Sequence, residues 1–298
     1  LMTPGLDTVG LYDYDGYLKP GDALTAHPKV CPDTGELITC TQRWDQPYFT
    51  LQIIDKQGKP VRAIEVPMPR KAIIHDLQLC GDYVVIFYPP AYHDINKAMK
   101  GEDPFLWEPE TPAKIIAIPR NGGDILWFET PAFFSWHFCN GFERDGKLII
   151  GYVWMEKIPF AKNMNSGLEK QTRNMHRMTL DLKTKAVTDH KVGDIYCEFS
   201  RSDERLCGKP YQYGFATASN RQWADAHGYN CTLRYTMETG EHQLWEYGKD
   251  ANAGEPVYVA NPDSAREEDG WVMCFVHNPG EGAFLSILSA GDFDNGPV

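Results

Sequence analysis

The sequence predicts an all-β fold, a β-propeller formed as a single domain over residues 1–298. Short apolar strand patterns alternate with turn signals from end to end, as in barrels, sandwiches and propellers. Three histidines, His27, His75 and His137, lie in separate strand-like segments, 48 and 62 residues apart. Those spacings are near or somewhat above the ~40–45 residues of a propeller blade. Side chains so far apart converge only where a repeated unit surrounds an axis, and imidazole is the commonest neutral metal ligand. The predicted arrangement is one imidazole per blade, on its innermost strand.

The strands pair across turns. Segments 48–54 and 61–66 flank Asp55-Lys56-Gln57-Gly58, and 73–79 and 83–88 flank Cys80-Gly81-Asp82. Segments 114–118 and 125–128 flank Arg120-Asn121-Gly122-Gly123, and 134–142 and 148–154 flank Arg144-Asp145-Gly146. Next, 177–182 and 186–190 flank Lys183-Thr184-Lys185, and 232–237 and 242–246 flank Glu238-Thr239-Gly240. Segments 257–260 and 271–277 flank an acidic loop at 263–269, and one further strand, 284–288, is expected before the end. Gly-, Asn- and Asp-bearing turns between β-branched and aromatic runs are hairpin signals. Two insertions interrupt the pattern. One, 91–109, is expected to hold a short helix around 94–100; the other, 157–175, a helical turn near 168–173. Long loops in such folds often cap the active face.

Composition narrows the function classes. A net charge of −12 and a pI near 5.2 describe a surface that repels phosphate backbones, so no nucleic-acid partner is expected. No run of ~18 apolar residues offers a membrane span. The eight cysteines form no CxxC pair. Most sit in apolar strands, as small hydrophobes do, and are read as reduced thiols of a reducing, cytoplasmic compartment. The sequon Asn230-Cys231-Thr232 is the one sign of the opposite, extracellular reading. Zinc-type His–Cys spacing, phosphate-binding Gly loops and a GxSxG elbow are all missing from the sequence.

At its histidines the sequence resembles the carotenoid cleavage oxygenase family, in particular its lignostilbene dioxygenase-like branch. The phrases that carry the resemblance run in order along the chain. They are Asp7-Thr8-Val9-Gly10-Leu11-Tyr12, Thr25-Ala26-His27-Pro28-Lys29 with Asp33-Thr34-Gly35-Glu36, Ile74-His75-Asp76 and Trp107-Glu108-Pro109. Leu126-Trp127-Phe128, His137-Phe138-Cys139-Asn140-Gly141-Phe142-Glu143, Cys197-Glu198-Phe199-Ser200-Arg201, Gly254-Glu255-Pro256-Val257 and Glu268-Asp269-Gly270-Trp271 follow. Each phrase is weak alone; together they are specific.

The resemblance implies a seven-bladed propeller, here incomplete at both termini, with a non-haem Fe(II) on its axis held by four histidines. His27, His75 and His137 would be three of them. The family's fourth follows the Asp292-Phe293 region, where this chain stops; His277 precedes that position. By the same resemblance Glu198 orients His137, and Glu255 would orient the fourth ligand, as carboxylates that accept the other ring N–H of a ligating histidine do. The implied reaction is oxidative cleavage of a C=C bond of a stilbenoid or phenylpropanoid alkene, or of an apocarotenoid, by O2 into two carbonyl products. The partners are then a small apolar or phenolic alkene and O2.

Each residue has a plainer reading. An isolated histidine on an apolar strand is usually a satisfied core residue; three in matching phrases reverse that. Glu198 and Glu255 could be strand glutamates. Phe134, Trp136 and Phe138 could line a substrate tunnel, although core packing is the commoner role of such aromatics. Asp76 follows a candidate ligand, and strand alternation points it to the opposite face, as a structural residue. Two rival functions stand beside the leading one. A non-catalytic propeller scaffold would hold no stoichiometric metal, and a propeller hydrolase would place paired carboxylates at the axis.

Overall fold

The computed structural model describes residues 1–43, 46–159, 172–220 and 228–298. The described strands form five larger antiparallel sheets in chain order, besides one two-stranded ribbon. The first sets Ala23–Leu24 and Lys29–Val30 side by side on Leu37–Gln42, followed by Tyr48–Ile54 and Pro60–Pro67. The second runs Gln78–Cys80, Tyr83–Tyr88, Ala113–Pro119, Leu126–Thr130, and the third Phe138–Arg144, Lys147–Met155, Arg173–Asp181, Val187–Lys191. The fourth runs Tyr196–Arg201, Tyr213–Ser219, Cys231–Thr236, His242–Glu246. The fifth sets Asn252–Ala253 and Val257–Val259 on Trp271–Asn278, followed by Gly282–Ser289 and Asp292–Pro297. Each sheet is an antiparallel meander, which is the blade of an all-β propeller.

The blades adhere through both faces of their middle strands. Val84 and Ile86 pack toward Leu51 and Val66 of the first sheet. Their alternate neighbours Val85 and Phe87 pack toward Leu148 and Ile150 of the third. Period-two alternation therefore feeds two interfaces from one strand, and Tyr83–Tyr88 reads as one apolar run because neither face meets water. The third and fourth sheets meet through Val153, Met175, Leu233 and Tyr235. The fourth and fifth meet through Phe215, Val272, Leu288 and Phe293.

Most expected strands fall where the turn signals place them, but Leu37–Gln42, Tyr196–Arg201 and Tyr213–Ser219 were not among them, and other features differ as well. The expected strand 73–79 is ordered as a strand over Gln78–Cys80 alone, and 134–142 begins at Phe138. The last sheet gains a strand the sequence reading lacked: Asp292–Pro297 pairs back on Gly282–Ser289. The insertion after residue 90 contains the expected helix, Ile95–Met99, capped by the Asp94 side chain on the Asn96 and Lys97 amides. It also carries a two-stranded ribbon, Ala91–His93 with Phe105–Trp107. The helical turn expected near 168–173 falls largely outside the described residues, and Arg173 itself opens a strand. None of the eight cysteines is in a disulfide, and all but Cys207 are buried. Asn230 of the sequon is fully buried against Asn220 and Glu246, so it offers no glycan acceptor.

Candidate metal centre

The three histidines and two glutamates predicted for the metal site all lie where an innermost strand is broken. His27 separates Ala23–Leu24 from Lys29–Val30. His75 lies in the irregular stretch before Gln78–Cys80. His137 directly precedes Phe138–Arg144, whose pairing shifts register between Phe138 and Asn140. Glu198 begins the register shift within Tyr196–Arg201, and Glu255 separates Asn252–Ala253 from Val257–Val259. A regular strand would aim these side chains at the neighbouring blades. An interruption re-aims one residue out of the alternation. The histidines are therefore loop residues at the ends of inner strands, and not strand residues as the sequence suggests.

The breaks bring three imidazoles together. His27 Nε2 and His75 Nε2 stand 2.9 Å apart, and one ring nitrogen from each of His27, His75 and His137 lies within 4.8 Å of the others. The ring centroids are 4.6, 4.8 and 5.1 Å apart. Among the described residues no other group of His, Cys, Asp or Glu converges like this. The rings open into a cavity of about 540 Å³ lined also by Trp136, Arg173, Glu198, Phe199, Tyr229 and Glu255.

The electrostatics favour neutral imidazoles at two of the positions. Burial lowers the His27 pKa, with the His137 charge adding to the effect and Asp76 opposing it. Burial, then His137 and His27, bring His75 down to about 4. At His137 burial also lowers, but the hydrogen bond and charge of Glu198 outweigh it and the pKa is raised. That bond runs from His137 Nδ1 to Glu198 Oε2 at 2.5 Å, which leaves Nε2 for the cluster. The same oxygen accepts from the Phe199 amide at 2.5 Å. Phe199 holds φ 54, the left-handed region, and its ring lies 5.0 Å from that of His137. A non-glycine residue in that region carries of order 1–3 kcal/mol of strain and persists where its surroundings fix it.

Glu255 lines the cavity but touches no imidazole; it accepts from Arg201 Nε at 2.8 Å and Nη2 at 2.6 Å. Of the three predicted aromatics, Trp136 lines the cavity and stacks edge-on against His75. Phe134 and Phe138 do not: they are buried in the blade interfaces, against Trp136 and Phe87 respectively. The stretch before Phe138 is not a regular strand, so these three do not share one face: Phe134 packs in the interface with the fourth blade and Phe138 in the one with the second. His277 is exposed on Trp271–Asn278, away from the cluster. Arg173 and Tyr229, joined by a 3.0 Å hydrogen bond, are wall residues that the sequence reading missed, because neither stands in a motif.

A propeller whose interrupted inner strands gather imidazoles around one cavity defines a class of metal-centre protein. The model of the retinal pigment epithelial membrane protein (RPE65) family matches residues 1–298. The chain belongs to that family, the carotenoid cleavage oxygenases. It is 28% identical to an isoeugenol monooxygenase of Pseudomonas nitroreducens, over 98% of this chain and 65% of that protein. It resembles the crystal structure of the Pseudomonas brassicacearum lignostilbene dioxygenase with a TM-score of 0.88 at 28% identity, covering 98% of this chain and 65% of that one. It resembles cobalt-substituted Synechocystis apocarotenoid oxygenase with a TM-score of 0.89 at 26% identity, covering 98% and 64%. The chain thus spans a little under two thirds of the length of these relatives.

Proposed function

We propose that His27, His75 and His137 are the share of an Fe(II) ligand set that residues 1–298 contribute, in an enzyme that splits an alkene into two carbonyl products. The observation that carries this reading is the convergence of three imidazole nitrogens within 4.8 Å. Metal–imidazole bonds of ~2.0–2.1 Å place neighbouring ligand nitrogens at roughly 3 Å for a right angle. The 2.9 Å between His27 and His75 fits that spacing. The donor set fits as well: two rings are held neutral by burial, and the third keeps one nitrogen free because Glu198 takes the other.

An Fe(II) held there would supply O2 activation, and the two oxygen atoms would end in the two carbonyls. The chain's own residues do the rest. Glu198 fixes the ring orientation of His137 through its Nδ1. Trp136, Phe199 and Tyr229 give the cavity flat aromatic walls against which a planar conjugated alkene can lie. Among the described residues the two carboxylates that line the cavity both have partners, Glu198 through Oε2 to His137 and Glu255 to Arg201. That disfavours the hydrolase reading. We assign the substrate to phenylpropanoid or stilbenoid alkenes, or apocarotenoids, the classes named by the relatives. Reduced, buried cysteines support a reducing compartment, and no helix among the described residues is long and apolar enough to cross a membrane.

The test is to load the protein with Fe(II) under nitrogen, measure bound iron, admit air and follow aldehyde formation from isoeugenol, resveratrol and an apocarotenal. Near-stoichiometric iron with aldehyde release supports the reading. Absence of bound iron would leave the non-catalytic scaffold as the better description.

A further inference from the structure

Three loop residues have to be held in register without strand pairing at their own positions, so something else must fix them. One side chain bonds to all three histidine segments. Asp76 Oδ1 accepts from Lys29 Nζ at 2.7 Å, two residues after His27. Asp76 Oδ2 accepts from the Phe138 amide at 2.9 Å, one residue after His137. Asp76 itself follows His75, and its Oδ1 also accepts from the Leu77 amide at 2.7 Å. The carboxylate is buried, and so is most of the Lys29 side chain. A second, weaker tie runs in the same direction: Thr25 Oγ1 donates to the His75 carbonyl at 2.8 Å.

We propose that Asp76 is the positioning residue of the histidine cluster, fixing the three imidazoles relative to one another from behind while Glu198 orients a single ring. The inference rests on the metal-centre reading above. A buried carboxylate without partners is strongly unfavourable, so Asp76 holds its donors where they are. Its hydrogen bonds involve an ionised group and are of the stronger kind. A loop shift of about 1 Å is enough to spoil a ligand constellation. Asparagine cannot replace it. It keeps one acceptor oxygen, and its NH2 would face either the Phe138 amide or the Lys29 and Leu77 donors. Strand alternation suggests a merely structural Asp76. The contacts give it a defined object, the spacing between segments.

The experiment is a Co(II) titration of the 298-residue chain, followed by calorimetry and by the visible ligand-field band. The variants are Asp76→Asn, Lys29→Met and, as a control, the exposed Asp82→Asn. Asp76→Asn is expected to weaken Co(II) binding about 10–100-fold and to alter the band, with unchanged far-UV circular dichroism. Lys29→Met, which leaves both backbone bonds in place, should weaken binding in the same direction by less, and Asp82→Asn not at all. Wild-type affinity and band in folded Asp76→Asn would overturn the proposal alone. If that variant does not fold, Lys29→Met decides: affinity equal to wild type overturns the proposal. If the wild-type chain binds no Co(II), the metal-centre reading falls and this inference with it.

Discussion

His137 Nδ1 stands 2.5 Å from Glu198 Oε2, across two neighbouring blades. Both residues sit at breaks in their innermost strands, and each break aims one partner at the other. The contact fixes the tautomer: Nδ1 carries the hydrogen and Nε2 faces His27 and His75. Glu198→Gln keeps an acceptor oxygen but loses the charge that stabilises the N–H. Its affinity for Fe(II) or Co(II) is expected to drop about 10–100-fold while the fold is kept. Equal affinity in calorimetric titrations of Glu198→Gln and wild type would show that Glu198 only closes the strand break.

His75 is the most strongly perturbed ring of the three, with its pKa brought down to about 4 by burial and its neighbours. His75→Ala removes one donor and the closest approach to His27. Bound iron after anaerobic loading and desalting should then drop from near one equivalent to background. His277→Ala, on an exposed strand position, should load like wild type. Elemental analysis of the two variants side by side is the check.

How much of this was legible in the sequence depends on the regularity of the strand. Tyr48–Ile54, Tyr83–Tyr88 and His242–Glu246 fall on the residues that turns and apolar runs mark, because both ends are set by local chemistry. The inner strands around His75 and His137 read as longer than they are, since Ile74 and Trp136 are apolar for packing and not for pairing, and Phe134 makes only an isolated bridge to Met155. The three histidines were visible through their phrases, and so was Glu198. The left-handed Phe199 was not, because a positive φ at a bulky residue leaves no mark in the sequence. Nor were Arg173 and Tyr229: the wall they form exists only once the third and fourth blades are side by side. Asp76 was read from strand alternation, and the absence of a strand at that position is what gives it partners on three segments.

Gly141 lies in the His137 phrase for a packing reason. A Cβ there would collide with Cys80 Sγ of the second blade and come within 3.1 Å of Gln78 Cγ. Gly141→Ala is expected to destabilise the chain by about 1–3 kcal/mol, as overpacking of a filled interface does. Adding Cys80→Ala removes the sulfur and should recover part of that loss, so the two changes will be non-additive in thermal unfolding. Additive losses would place the strain elsewhere.

Thiol reactivity offers a test with a pH sign. Burial alone would raise Cys31, but hydrogen bonds from Thr34 and Arg120 outweigh it and lower its pKa. Cys207, the least buried thiol, is pushed up to about 11 by desolvation. The thiolate is the nucleophile, so near neutral pH Cys31 should carry much more of the reactive form than Cys207. Both thiols line one surface cavity of about 410 Å³, so reagents reach either and the thiolate fraction decides between them. Brief iodoacetamide treatment followed by peptide mass spectrometry should find Cys31 alkylated first. As pH rises toward 11 the thiolate fraction of Cys207 grows while that of Cys31 saturates, so the preference should narrow. Labelling led by Cys207 at neutral pH would show that exposure governs instead.

Glu255 separates orientation of a ligand from mere presence in the cavity. It lines the same space as Glu198, yet its partner is the Arg201 guanidinium and both side chains are about one-third exposed. An ion pair so placed contributes at most ~1 kcal/mol to stability, because water screens it. Glu255→Gln in the 298-residue chain should therefore leave Co(II) affinity within about threefold, a free-energy change under ~1 kcal/mol. The contrast with Glu198→Gln is the informative result. If Glu255→Gln weakens the metal as much as Glu198→Gln does, the two carboxylates act on the cluster through its net charge. The charge of both carboxylates, and not the His137 hydrogen bond, would then set the affinity of the cluster.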